Sequence, residues 1–337
     1  MPRVSVIMSV YKEPIEWIEL SIDSILSQTF SDFEFLIVND NPSREENTNL
    51  LNEYHQKDGR VAPIINETNI GLTKSLNRAL AIAQGEYIAR MDADDMSLPQ
   101  RFEKQVAYLN AHPEICVVGS WTGNIDEQGN RVPGVSKYDT DPRWIRAQFL
   151  QNSQVGHPAA MFRKVVKGHV VQYDESVRYA QDYSLWVSLL PFGDIANIPE
   201  VLFCYRHNEQ QITSSKNAEQ QACAGIAQRK AFALFDFPVT ESFIKHFFAM
   251  TIKHNMDLPL EEVTKEFCGF FKMVNFSQDN SLALEIIYSS YLAYLHHQCG
   301  GSKANYIASV VMNSSLFMLM LGCRLGIHLY QRKNKRQ

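Results

Sequence analysis

The sequence predicts an α/β protein, a mostly parallel, doubly wound sheet followed by a C-terminal helical appendage. Short apolar runs alternate with amphipathic stretches through residue 91, the pattern of consecutive β-α-β units. Polar residues collect just past the ends of those runs, where open sheets of this kind bind ligands. From about residue 216 the periodicity becomes helical throughout.

The elements follow in order. "VSVIMSV" (Val4 to Val10) is β-branched and apolar on both faces, as a buried strand requires. In "EPIEWIELSIDSILSQTF", Pro14 suits a first helical position, and Ile15, Ile18, Ile22 and Ile25 form one stripe. "FEFLIVND" is a second strand ending in Asn39 and Asp40. A polar helix over 44–57 leads to "RVAPIIN", a third strand ending at Asn66. "NIGLTKSLNRALAIAQG" is a helix with Leu72, Leu76, Leu80 and Ala83 inward and Gly85 as its stop. "EYIARM" is a fourth strand. Beyond it come a helix in "LPQRFEKQVAYLNAH", a strand in "EICVVGS" and a hairpin in "IDEQGNRV" turning at Gly129-Asn130. A helix near 141–151, a strand in "HPAAMFRK", a helix starting near Asp182 and a strand in "IPEVLFCYRHNEQQIT" complete this part. Four helical stretches then fill 216–300.

Composition narrows the function. A net charge of −5 argues against non-specific nucleic-acid binding. The six cysteines show no CxxC spacing, so they read as reduced thiols and not as a zinc site or disulfide framework. "MPRVSVIMSVYKEP" enters a strand pattern at once without a signal-peptide n-region, which places the expected start of the protein in the cytoplasm. Residues 306–323 are nearly charge-free and precede Arg332, Lys333, Lys335 and Arg336. This end reads either as an interfacial helix with a basic anchor on a membrane surface or as a buried closing helix. Asn313, Ser314 and Ser315 and the shortness of the run weigh against a full span.

"GEYIARMDADDMSLPQR" crowds Asp92, Asp94 and Asp95 at the end of the fourth strand. Carboxylates so close need a cation, and a hard divalent ion, Mn²⁺ or Mg²⁺, bridging to a diphosphate answers that need. Without a Walker loop, a GxGxxG or a kinase signature, the diphosphate points to a nucleotide sugar. Capping of the next helix accounts for Asp95 alone.

"VSVIMSVYKE", "FEFLIVND", "NIGLTKSLNRAL", "GEYIARMDADD", "LPQRFEKQ" and "YAQDYSLWVSLL" together resemble the family 2 glycosyltransferases of the GT-A fold, over about residues 3 to 213. The resemblance implies a catalytic domain over 1–215, with a nucleotide-sugar half at 1–98 and an acceptor half at 99–215. The appendage is 216–302, and 303–337 is a membrane-associating candidate. It implies that Asp94 and Asp92 are the DxD metal ligands, with Asp92 nearer the ribose and diphosphate. Ser9, Val10, Tyr11 and Glu13 wrap the nucleotide, Asp40 meets the base, Asn69, Gly71 and Lys74 lie near the diphosphate, and Arg90 occupies a nucleotide-sugar-side position that is commonly arginine just before the DxD. Asp182 is the general base of an inverting transfer, with Gln181 beside it where relatives usually carry Glu. "NDNPS" stands where a DDGS-type run is commoner. A metal-binding histidine of relatives falls at Asn208, five residues before Thr213, so either the adjacent His207 reaches the metal or the site has no histidine.

His157 aligns with an acceptor-side histidine or serves a turn before Pro158. Trp121, Trp144 and Trp186 are candidates for a sugar-stacking platform or for core packing. The implied partners are a nucleotide-sugar donor, a glycan or lipid-linked acceptor and a membrane surface, at the inner face of the cell membrane. Two other classes compete. A sugar nucleotidyltransferase would need a glycine-rich basic loop after the first strand, and "MSVYKEP" has no glycine. A degenerate, non-catalytic scaffold subunit is suggested by Gln181 and "NDNPS", but the intact aspartates count against it.

Overall fold

The computed structural model describes residues 1–207, 217–253, 255–274, 277 and 280–298. Its first part runs β1 (Val4–Val10), α1 (Ile15–Leu26), β2 (Phe33–Asn39), α2 (Glu45–Lys57), β3 (Val61–Ile65), α3 (Leu72–Ile82) and β4 (Tyr87–Arg90). It continues with β5 (Met96–Ser97), α4 (Arg101–Ala111), β6 (Ile115–Ile125), β7 (Arg131–Ser136), α5 (Pro142–Gln148), β8 (Met161–Arg163), β9 (Val165–Val166), β10 (His169–Val170), α6 (Gln181–Leu189) and β11 (Asp194–Arg206).

The main sheet has the order β3-β2-β1-β4-β8-β6-β11-β5, with β7 on β6. Its first four strands are parallel to one another, as is the β6–β11 pair, whereas β8 runs antiparallel to both β4 and β6. β1 lies centrally, and Val4, Val6, Ile7, Met8 and Val10 are wholly buried, which explains its apolar character on both faces. The strand order reverses direction between β1 and β4, so the crevice at their C-terminal ends is the topological switch point.

Three local expectations are corrected. Pro14 is the cap before α1 and not its first residue, because its ψ of 138° is extended. α3 ends at Ile82, so Gly85 is not its stop. Gly85 is small for a different reason: a Cβ there would stand 2.5 Å from the Ser5 nitrogen and 2.7 Å from the Val4 carbonyl carbon, both main-chain atoms of β1. Gly85→Ala is therefore expected to destabilise the fold by about 1–3 kcal/mol, read as a lowered thermal midpoint; an unchanged midpoint would show that β1 yields freely. Asp95, finally, does not cap the following helix, since α4 begins at Arg101 with Gln100 before it. The hairpin at Gly129-Asn130 forms as expected: Gly129 has φ 84°, and the Asp126 carboxylate accepts from the Gln128 and Asn130 amides at 3.0 and 2.8 Å.

Contacts divide the chain into two compact units, Met1–Ile145 with Ser153–Cys223, and Arg146–Asn152 with the chain from Ala224. The later helices are α7 (Asn217–Ala233), α8 (Glu241–Thr251), α9 (Leu260–Met273) and α10 (Ser281–Gln298). Aromatic packing fills the second unit: Phe243 lies 4.6 Å from Phe270 and 4.8 Å from Phe267, ring centre to ring centre, and Phe267 lies 4.7 Å from Tyr291. Gln228 ties the 146–152 segment to these helices by donating to the Leu150 carbonyl at 2.8 Å. The apolar stretch and basic tail at 303–337, and positions 208 and 213, lie outside the described residues. Among the described residues no helix is long and apolar enough to cross a membrane.

Candidate active site

Two strand ends build the acidic edge of the site. β1 and β4 pair up to Ile7 opposite Arg90, and the Met91 amide continues the ladder to the Ile7 carbonyl. The chain after each strand therefore emerges side by side, bringing Glu13 within electrostatic reach of Asp94. The Asp92 carbonyl is pinned from α1 by the Ser21 hydroxyl at 2.9 Å.

The three aspartates divide the work. Asp92 is about a third exposed and pairs with the guanidinium of buried Arg90. Burial raises the Asp94 carboxyl to about 7; Asp92 and Glu13 add to the rise, and Arg206 opposes it. Asp95 is wholly buried, accepts the Arg206 amide at 2.8 Å and is held well above the usual carboxylate range, chiefly by burial. Burial and the charges of Asp92 and Glu13 thus make the surroundings of Asp94 favourable to a cation. Among the described residues no three His, Cys, Asp or Glu side chains form a complete ligand set. The donor set nevertheless fits Mn²⁺ or Mg²⁺, which take one or two carboxylates plus phosphate and water oxygens.

Arg206 is the counter-charge that sequence reasoning missed. It is wholly buried; its Nε donates to the Asp94 carbonyl at 2.6 Å, and its Nη1 donates to the carbonyls of Asp126 and Glu127 at 2.6 and 2.8 Å. Its guanidinium lies over the Trp17 ring at 4.9 Å. The signal was its place in "CYRHN", at the end of a strand that must reach the ligand edge. His207, next in the chain, is exposed, and its ring meets Tyr205 edge-on at 5.4 Å.

The nucleotide-side residues are placed unevenly. Tyr11 is exposed at the lip, and the Glu13 carboxylate accepts the Tyr11 amide at 2.7 Å. Ser9 is half-buried, and Val10 is wholly buried in the core, so its side chain does not wrap a nucleotide. Asp40 is corrected more fully. Its Oδ1 accepts from Asn66 Nδ2 and the Ile70 amide, both at 2.8 Å, and its Oδ2 accepts from Asn69 Nδ2 at 3.1 Å and the Gly71 amide at 2.9 Å. Four donors fill a carboxylate, and Asp40 is only 3 % exposed, so it shapes the 66–71 loop and has no acceptor left for a base. Gly71, at φ 86°, turns that loop into α3, where Lys74 is exposed on the first turn.

Asp182 is the second residue of α6 and is half-buried. Burial raises its carboxyl, the Tyr183 amide and its own amide lower it, Asp92 raises it and Arg90 lowers it. Asp92, Arg90 and Asp182 therefore share one electrostatic neighbourhood. Gln181 is half-buried beside it. His157 opens a short 3-10 turn over His157–Ala159 and contacts the Tyr173 hydroxyl through Nε2 at 2.7 Å; burial, with Arg90 adding, holds its imidazole well below the ordinary histidine range. Trp186 and Trp144 are buried and form no platform, whereas Trp121 is half-exposed with Lys137 over its ring at 5.0 Å. Cys116, Cys204, Cys223 and Cys268 are free thiols.

Residues 5–169 match the family model described as glycosyl transferase family 2. A glycosyltransferase of Methanocaldococcus jannaschii, described as uncharacterized, is 40% identical over 55% of this chain, which spans only 64% of that protein. The O-antigen biosynthesis glycosyltransferase WbnJ of Escherichia coli is 32% identical, covering 68% of this chain and 89% of WbnJ. S. aureus TarS 1-349, solved with UDP-GlcNAc, superposes with a TM-score of 0.56 at 16% identity over 88% of this chain and 92% of that one. The mannosyltransferase PcManGT from Pyrobaculum calidifontis, solved with GDP-Man and Mn²⁺, gives 0.54 at 17% identity over 94% and 85%. These two likenesses establish the GT-A fold of the chain.

Proposed function

The chain belongs to glycosyl transferase family 2, and from that premise we propose an inverting, metal-dependent transfer of a hexose from a nucleotide sugar, of the UDP class. The proposed acceptor is a hydroxyl of a growing surface glycan or lipid-linked oligosaccharide. The observation that carries this reading is the shared neighbourhood of Asp92, Arg90 and Asp182, which joins an acidic donor side to a lone acceptor-side carboxylate.

Each residue has a stated part. Tyr11 and the main chain after β1 receive the nucleoside, while Asn69 and Lys74 lie toward the diphosphate. Asp94 and Asp92 would hold Mn²⁺ or Mg²⁺, which when bound neutralises charge on the leaving diphosphate. Arg90 holds Asp92 in place. Asp182 takes the proton from the acceptor hydroxyl as that oxygen bonds to the anomeric carbon from the face opposite the nucleotide; the bond from that carbon to the diphosphate oxygen breaks. A base aligned opposite the leaving group gives inversion. His207 is a candidate third metal ligand.

Relatives support the coarse outline. TarS carries a UDP-sugar, PcManGT carries a sugar nucleotide with Mn²⁺, and WbnJ is described as acting in O-antigen biosynthesis. The basic C-terminal tail is proposed to bring the enzyme to an anionic membrane face. The decisive experiment is a panel of UDP- and GDP-sugars assayed for sugar release and transfer. Turnover is expected with Mn²⁺, to vanish with a chelator and to return on adding metal; turnover indifferent to chelation would overturn metal dependence.

A further inference from the structure

The chain between β10 and α6 lies in neither strand nor helix and leads directly into Asp182. Its main-chain groups need partners that no sheet supplies. α3 supplies them. Asn77, buried on α3, accepts the Tyr173 amide through Oδ1 at 2.9 Å and donates through Nδ2 to the Tyr173 carbonyl, also at 2.9 Å. The side-chain amide thus stands in for a neighbouring strand. Its Nδ2 also donates to Glu175 Oε1 at 3.0 Å. Four residues earlier on the same face of α3, buried Thr73 donates to the Val177 carbonyl at 3.4 Å.

The held segment has further anchors. Tyr173 and Val177 are buried, and the Tyr173 hydroxyl reaches His157 at 2.7 Å. Asp174 folds the segment by accepting the Ser176 amide at 3.1 Å. It ends at Ala180, whose φ of 53° is a left-handed conformation that alanine keeps only where its surroundings enforce it. Asp182 follows two residues on, already inside α6.

We infer that Asn77 is a positioning residue of the transfer reaction: it clamps the main chain at Tyr173 and so fixes the segment that aims Asp182 at the acceptor hydroxyl. This inference rests on Asp182 being the base. A misplacement of about 1 Å is enough to cost a reaction about a hundredfold, so the clamp acts on kcat and not on donor binding.

The test uses the full chain and the variants Asn77→Ala, Thr73→Val and Asp182→Asn. UDP with Mn²⁺ counts binding-competent sites by calorimetry, and transfer is expressed per such site. Asn77→Ala is expected to keep the donor KM within about threefold while kcat per site falls about 10- to 100-fold. A role confined to stability would reduce the number of UDP-binding sites and leave kcat per site unchanged, and that result overturns the inference. Should Asn77→Ala bind no UDP, Thr73→Val decides: a lowered kcat at unchanged donor KM supports the clamp, and wild-type kcat sinks it. Full transfer by Asp182→Asn would refute the base itself, a failure distinct from normal turnover in Asn77→Ala.

Discussion

Asp182→Asn is expected to lower transfer by about 10²- to 10⁴-fold while nucleotide binding stays near the wild-type level. An amide matches a carboxylate in shape and still accepts the Tyr183 amide, so the fold and α6 persist. What it lacks is a basic oxygen for the acceptor proton. The pH profile provides an independent readout. Burial raises the Asp182 carboxyl, so the acid limb of kcat should lie above the ordinary carboxylate range and disappear in the variant. Initial rates against pH, with UDP affinity by calorimetry, measure both. Wild-type turnover in the variant would remove Asp182 from the chemistry.

The second large effect is expected at Asp94. Asp94→Ala should reduce transfer by about 10²- to 10³-fold, the equivalent of the several kcal/mol a metal contributes to a leaving group. The metal-free protein offers a further check, because its Asp94 carboxyl sits near 7 against an ordinary 3.8. The folded state then holds a proton that the unfolded state gives up between those values. Stability from this group is fully present below the lower value and is lost as pH rises through the higher one. Mn²⁺ competes for the deprotonated form, so its stabilisation should grow from about pH 5.5 to about pH 8. Thermal melts with and without Mn²⁺ read this directly. Equal Mn²⁺ stabilisation of wild type and Asp94→Ala would show that the ion binds elsewhere.

Much of this was open to inspection in the chain itself. The alternation through Met91 fixed which runs are strands, because a strand buried on both faces must be apolar throughout, as β1 is. The gathering of polar residues past β2, β3 and β4 marked the ligand edge, because parallel strands all end on the same side. The crowding at 92–95 demanded a cation for reasons of charge alone.

Tertiary structure decided how those polar groups are employed. Asp40 looked available to a base, but four donors from the loop after β3 occupy it. Gly85 read as a helix stop, but the main chain of β1, some eighty residues away, is what excludes a side chain there. One oxygen of Asp95 accepts the Arg206 amide across 111 residues, and Tyr173 is held by Asn77 across 96. Local periodicity records which face of an element is buried, since burial acts on each residue separately. A polar side chain has no such period: its role is set by whichever strand ends and helix faces the fold brings against it, and only the assembled sheet determines that.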